Sequence, residues 1–162
     1  MGRTGTGAKA GAVAGIVYGA IASVISYYTL LSSKAQILST IQNGLPANSP
    51  LTPDQVYQLA LDIAPIVAVV AGIVLGMVVG LVFGWRAESM PGRSYLAKGL
   101  SLGIMFWFLF SVLFGLGDLQ YGVTIYLTGL ATGIVPALIF GSLLGFLYGR
   151  FLPKSEPGAV QQ

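Results

Sequence analysis

Four stretches of this chain carry no charged side chain at all: Ala10 to Leu31, Ile63 to Trp85, Gly99 to Gly117 and Leu119 to Gly149. Crossing the hydrocarbon core of a bilayer, about 30 Å thick, takes roughly 20 apolar helical residues, because inside it each backbone N–H and C=O must be paired. Runs of this length suit a membrane span or the centre of a large soluble domain. The second option fails on charge: a soluble surface draws on about 25% charged residues, and this chain of 162 residues has 8%. The expected fold is therefore all-α, a polytopic integral membrane four-helix bundle. The last run is long enough to tilt or to project beyond the bilayer.

The few charges then orient the spans, since Lys and Arg collect on the cytoplasmic side of short loops. In a four-span topology Arg3, Lys9, Arg86, Arg93, Lys98, Arg150 and Lys154 share one side, and Lys34 stands alone on the other. Asp54, Asp62 and Asp118 fall outside, Glu88 and Glu156 inside. That places the protein in the cell membrane with both termini cytoplasmic, and it sets basic loops beside anionic lipid heads. The pI of 9.3 follows from this topology and does not point to nucleic acid. Interfacial aromatics agree: Tyr27, Tyr28, Tyr57 and Tyr121 at outer ends, Trp85, Tyr95 and Tyr148 at inner ends. The segments become a basic cytoplasmic tail (1–9), a first transmembrane hairpin (10–85) with an extended outer loop (32–53), a basic cytoplasmic loop (86–98), a second hairpin (99–149) and a cytoplasmic tail (150–162). A cleaved leader is disfavoured, because the apolar run continues past the small residues at Ala20 and Ala22 to Leu31.

The two halves read as tandem, parallel copies of one hairpin. A shift of 88 residues lays Gly11, Gly15, Ile16, Ser23 and Val24 on Gly99, Gly103, Ile104, Ser111 and Val112. A shift of 64 lays Asp54, Tyr57 and Arg86 on Asp118, Tyr121 and Arg150, and a shift of 65 lays Gly76, Gly80 and Gly84 on Gly141, Gly145 and Gly149. The difference between shifts is taken up by the outer loop. There Ser33 to Gln42 extends the first helix with Ile37, Leu38 and Ile41 on one stripe, Gly44 stops it, and Thr52-Pro53-Asp54-Gln55 starts the next with a capping-box pattern.

Glycine recurs every fourth residue at Gly7, Gly11, Gly15 and Gly19, at Gly72, Gly76, Gly80 and Gly84, and at Gly141, Gly145 and Gly149, with Gly129 and Gly133 before Pro136. Residues four apart line one helix face, and stripping that face of side chains lets a second backbone approach. The expected use is packing within the monomer, first helix on second and third on fourth. The sharper alternative turns at least one stripe toward another copy or a partner subunit. The third helix differs, with Met105, Phe106, Trp107, Phe108, Phe110 and Phe114 supplying bulk that faces lipid or fills a neighbour's groove.

Reactive groups are scarce. The chain has no Cys and no His, which removes thiol and imidazole catalysis and the commonest metal ligands. No catalytic, cofactor-binding or metal-binding residue is expected, and no enzyme. Gly2 to Lys9 fails as a phosphate loop, with its Lys one position late and no Ser or Thr after it. The remaining polar candidates are Tyr57 and Asp62 near the outer mouth and Thr128, Thr132 and the bend at Pro136 in the fourth helix, a possible pathway for a small solute. Two functions are expected from this inventory: a non-enzymatic structural or accessory subunit that packs into a homo-oligomer or with other membrane subunits, and, as the alternative, a passive channel or carrier for a small neutral or weakly charged solute.

Overall fold

The computed structural model describes residues 2–46, 48–113, 116 and 123–152, with the side chains of residues 113, 124, 125 and 128 outside that set. Among the described residues all regular structure is helical: α1 (Arg3–Ser32), α2 (Lys34–Gly44), α3 (Pro53–Arg86), α4 (Tyr95–Trp107) continued by a π-helical turn (Phe108–Leu113), and α5 (Val123–Phe151). Four of these segments are long and apolar enough to cross a membrane: Arg3–Ser32, Pro53–Arg86, Tyr95–Val112 and Gly129–Phe151. The apolar side chains they turn outward, Val24 at 70% exposure and Ile66 at 65% among them, have hydrocarbon as their natural solvent.

Local chemistry sets the ends of these helices. Thr52 starts α3 as expected, its Oγ1 accepting from the Gln55 N–H at 3.3 Å while the Gln55 Oε1 accepts from the Thr52 N–H at 2.8 Å, with Pro53 at the first helical position where no donor is needed. Ser94 Oγ caps α4 through the Ala97 N–H at 3.2 Å, and Gly92 makes the preceding turn at φ +129°, a conformation closed to most side chains. The outward extension of the first helix is α2, which ends at Gly44 and is set off from α1 at Ser33. Ile37, Leu38 and Ile41 are half-buried, and α2 packs on α3. With 34 residues α3 runs for about 51 Å, well beyond a 30 Å hydrocarbon core. Its early turns, with Asp54 and Asp62 exposed, are the part in excess.

One difference from expectation lies at the start. Residues 3–9, expected as a tail, are the first turns of α1. Thr6 and Gly7 are buried there, because Gly7 lies against the end of α3: a Cβ placed on it would stand 2.9 Å from Gly84 Cα. Arg3 pairs with Glu88 just past α3, tying the same end from outside.

The pairs α1–α3 and α4–α5 are antiparallel, and α1 also packs on α5. The core sits toward one end of the helices. Ala10, Ala14, Phe83, Ala87, Leu102, Phe140, Leu144 and Tyr148 form one buried cluster, braced by edge-on ring contacts of Phe83 with Tyr148 at 5.1 Å, Tyr95 with Tyr148 at 5.2 Å and Tyr18 with Phe140 at 5.8 Å. This is the end that carries Arg3, Lys9, Arg86, Arg93, Lys98 and Arg150.

Candidate functional site

The glycine stripes come first, because they position everything else. Along α1 and α3 the backbones interlock without side chains between them. A Cβ on Gly11 would meet the Gly76 carbonyl and lie 2.8 Å from Gly80 Cα; one on Gly76 would meet the Gly11 carbonyl and lie 2.8 Å from Gly15 Cα. Gly15 and Gly72, Gly19 and Gly72, and Gly7 and Gly80 repeat the arrangement along the pair. In α4 and α5, Gly99 faces Gly141 and Gly145, Gly103 faces Ala137 and Gly141, and Gly145 faces the Tyr95 backbone. Gly149 meets the Tyr95 ring instead. Of the glycines expected to serve helix packing, Gly11, Gly15, Gly19, Gly72, Gly76, Gly80, Gly141 and Gly145 thus lie against the backbone of a neighbouring helix and Gly149 against a side chain. Lipid gives helices no hydrophobic reason to associate, so this close van der Waals contact supplies much of the cohesion of each pair.

α1 carries a second stripe, of small residues interrupted by Tyr18, beside the glycines. Ala10, Ala14, Tyr18, Ala22 and Ser26, again four apart, look toward α5. Ala10 and Ala14 are fully buried, and Lys9 lies 5.9 Å from the Phe151 ring at the basic end of this contact. Beyond Tyr18 and Phe140 the two helices leave an open cleft of about 180 Å³, lined by Tyr18, Ala22, Ile25 and Ser26 of α1 and by Gly129, Thr132, Gly133 and Pro136 of α5. Among the described residues that line it none is charged. The alanine spacing in α1 was the signal for this interface, and it is visible in the sequence once the glycines are assigned to the adjoining face, about 100° around the helix.

Of the five residues expected along a pathway, two meet here. Thr132 lines the cleft and donates from its hydroxyl to the Gly129 carbonyl at 3.3 Å, and Pro136 forms part of the wall. The side chain of Thr128 lies outside the described residues. Tyr57 and Asp62 are elsewhere. Tyr57 is buried between α3 and α1, its hydroxyl donating to the Leu30 carbonyl at 2.9 Å with the Lys34 ammonium 5.3 Å from its ring. Asp62 is exposed on α3. Asp118 and Tyr121, matched in sequence to Asp54 and Tyr57, also lie outside the described residues.

The bulk of α4 divides between two roles. Phe106 stacks obliquely on Phe110 at 4.4 Å and reaches Phe140 at 6.1 Å, and Trp107 Nε1 donates to the Leu130 carbonyl at 3.0 Å. Met105 and Phe108 face outward. Beside Gly133 the α4–α5 contact is made by Ser111 and Trp107 side chains and no longer by backbone, at the place where α4 gives way to its π-helical turn. Phe114 lies outside the described residues.

The charges lie at the ends. Arg86 stacks on Trp85 at 4.6 Å and Lys98 on Tyr95 at 5.7 Å, which keeps cationic heads at the level where aromatic belts sit. Among the described residues no group of three or more acidic side chains converges in a way that could hold a metal ion. These features define a class: a membrane-embedded, multi-pass helical protein. No protein-family model matches the chain, and neither a curated protein nor a solved structure does.

Proposed function

We propose that the protein is a non-enzymatic subunit of the cell membrane, with both termini in the cytosol, made of two tandem copies of one helical hairpin and acting by packing against copies of itself or other membrane proteins. The observation that carries this is the filled half at the basic end: from Ala10 and Ala14 to Leu144 and Tyr148 the space between the helices is closed by buried side chains. A through-passage would have to cross that layer, and a frame of this kind suits holding shape. The tandem-copy proposal draws support from contacts as well as letters. Shifts of 88 and 65 residues carry the pair Gly11–Gly76 onto Gly99–Gly141, and Gly15–Gly72 onto Gly103–Ala137, each a backbone contact of the same type. The basic rim of Arg86, Arg93, Lys98 and Arg150 suits anionic lipid heads.

With the glycine stripes engaged internally, an association surface must use the outward apolar faces. Mass measurement in mild detergent tests this: the expected species is larger than the 16.9 kDa chain, as a multiple or with a co-purifying membrane partner. A strictly monomeric protein with no partner recovered from native membranes overturns it. A second proposal, passage of a small neutral solute, is favoured by the cleft lined by Tyr18, Ser26 and Thr132. It requires the filled half to open, and solute flux through reconstituted vesicles is its test.

A further inference from the structure

The cleft between α1 and α5 has three properties that together specify an occupant. Its depth is the first. Measured along α1 from Lys9 at the basic rim, Tyr18 lies about 14 Å and Ser26 about 25 Å away, so the cleft runs from the middle of the hydrocarbon layer to its far edge. Gly129 and Thr132 are exposed on its border, and at this depth exposure means contact with lipid.

Its polarity is the second. In the membrane a hydroxyl without a partner is unfavourable, and several of the neighbouring polar side chains avoid that condition. Tyr57 donates to Leu30, Tyr126 to the Val112 carbonyl at 3.3 Å and Trp107 to Leu130, while Thr29 and Ser32 bond back to Ile25 and Tyr28 of their own helix. Tyr18, Ser23, Ser26 and Ser111 do neither, and of these four it is Tyr18 and Ser26 that line the cleft, where among the described residues their hydroxyls have no hydrogen-bond partner. The third property is size with closure. A volume of about 180 Å³ holds about six water-sized groups of about 30 Å³ each, far less than a helix, and Tyr18 on Phe140 closes the cytoplasmic end.

We propose that this cleft binds the uncharged hydroxyl head of a lipid, of the diacylglycerol or long-chain-alcohol class, entering sideways from the outer leaflet. The hydroxyls of Tyr18 and Ser26 bond the head, and the absence of charge among the described lining residues disfavours a phosphate or ammonium. The acyl chains stay in the bilayer. The site stands whether or not the protein works as a subunit.

The test uses the full chain in phospholipid nanodiscs with a diacylglycerol carrying a photoreactive diazirine close to the glycerol. After irradiation, adducts are expected on Tyr18–Ser26 and Gly129–Pro136, to be displaced by excess unlabelled diacylglycerol and not by phosphatidylglycerol. Tyr18→Phe removes one hydroxyl and no internal bond, so it is expected to leave the fold intact and to lower specific capture about fivefold, the equivalent of one hydrogen bond. Ser26→Leu, which fills the cleft, is expected to abolish it. Adducts spread evenly over the outward face of α3, equal displacement by phosphatidylglycerol, or full capture by Tyr18→Phe would each overturn the proposal. So would crosslinks to a partner protein in place of lipid. If Ser26→Leu fails to fold, the competition on the unaltered chain still decides.

Discussion

At the residue scale the consequential property is the absence of a side chain. Gly11 sits where a single added methyl has nowhere to go, with Gly76 and Gly80 backbone on the far side; neither can swing away as a rotamer would. Gly5, six residues earlier on the same helix, has nothing within 4 Å of the same position. Gly11→Ala is therefore expected to destabilise the protein by about 1–3 kcal/mol, the range for overpacking a close-packed site. Gly5→Ala is expected to leave stability unchanged or raise it by up to about 1 kcal/mol through helix propensity. Unfolding in mixed micelles by titration with a denaturing detergent measures both. Equal effects would mean that the α1–α3 contact is not the close backbone approach described. Spacing alone announced Gly11 as a packing residue, because four-residue recurrence has few other uses in an apolar helix. It did not announce which residues oppose which, since register depends on both helices at once. Nor did it separate Tyr57, whose hydroxyl is committed to Leu30, from Thr132 and Pro136, which line the cleft: polar letters look alike until burial and partners are known.

At the element scale, helix ends written in local chemistry were legible and those written in tertiary contact were not. Thr52-Pro53-Asp54-Gln55 forms the capping box its letters spell, since all its bonds lie within four residues. The start of α1 shows the opposite case. Residues 3–9 hold two glycines and two charges that read as a tail, and they are helical with Gly7 against Gly84 and Arg3 reaching Glu88, both distant in sequence. The π-helical turn of α4 was equally hidden, arising beside Gly133 on another helix. The capping box yields its own expectation. Thr52→Ala removes the acceptor for the Gln55 N–H and is expected to cost about 1 kcal/mol locally, so that amide hydrogen exchange speeds up about fivefold over the first turn of α3. Exchange at Gly72–Gly80, clamped by α1, is expected to stay at its original rate. Acceleration spreading into that clamp would show that the extramembrane start of α3 and its glycine contact form one cooperative unit.

At the scale of the whole molecule the decisive quantity is the asymmetry of charge along the helices. Six of the bases, Arg3, Lys9, Arg86, Arg93, Lys98 and Arg150, gather at the end where the core is filled, and Lys34 marks the other end with Asp54 and Asp62. The fold brings the ends of α1, α3, α4 and α5 together so that this asymmetry, inferred from loop order alone, becomes a basic rim on a single body. Insertion should follow it, because basic loops of this length stay in the cytoplasm. The chain contains no cysteine, so any one introduced is a unique reporter. Asn43→Cys, exposed near the end of α2, is expected to react with a membrane-impermeant maleimide in intact cells. Ser89→Cys, exposed just after α3, is expected to react only once the membrane is permeabilised. The two positions are joined by a single crossing, α3, so opposite accessibility is required by any orientation that uses it as a span. Equal labelling from outside would remove α3 from the membrane, and with it the antiparallel glycine pair that α1 needs as a partner. Reversed labelling would keep every contact in the fold and place the basic rim outside, leaving the lipid cleft in the cytoplasmic leaflet.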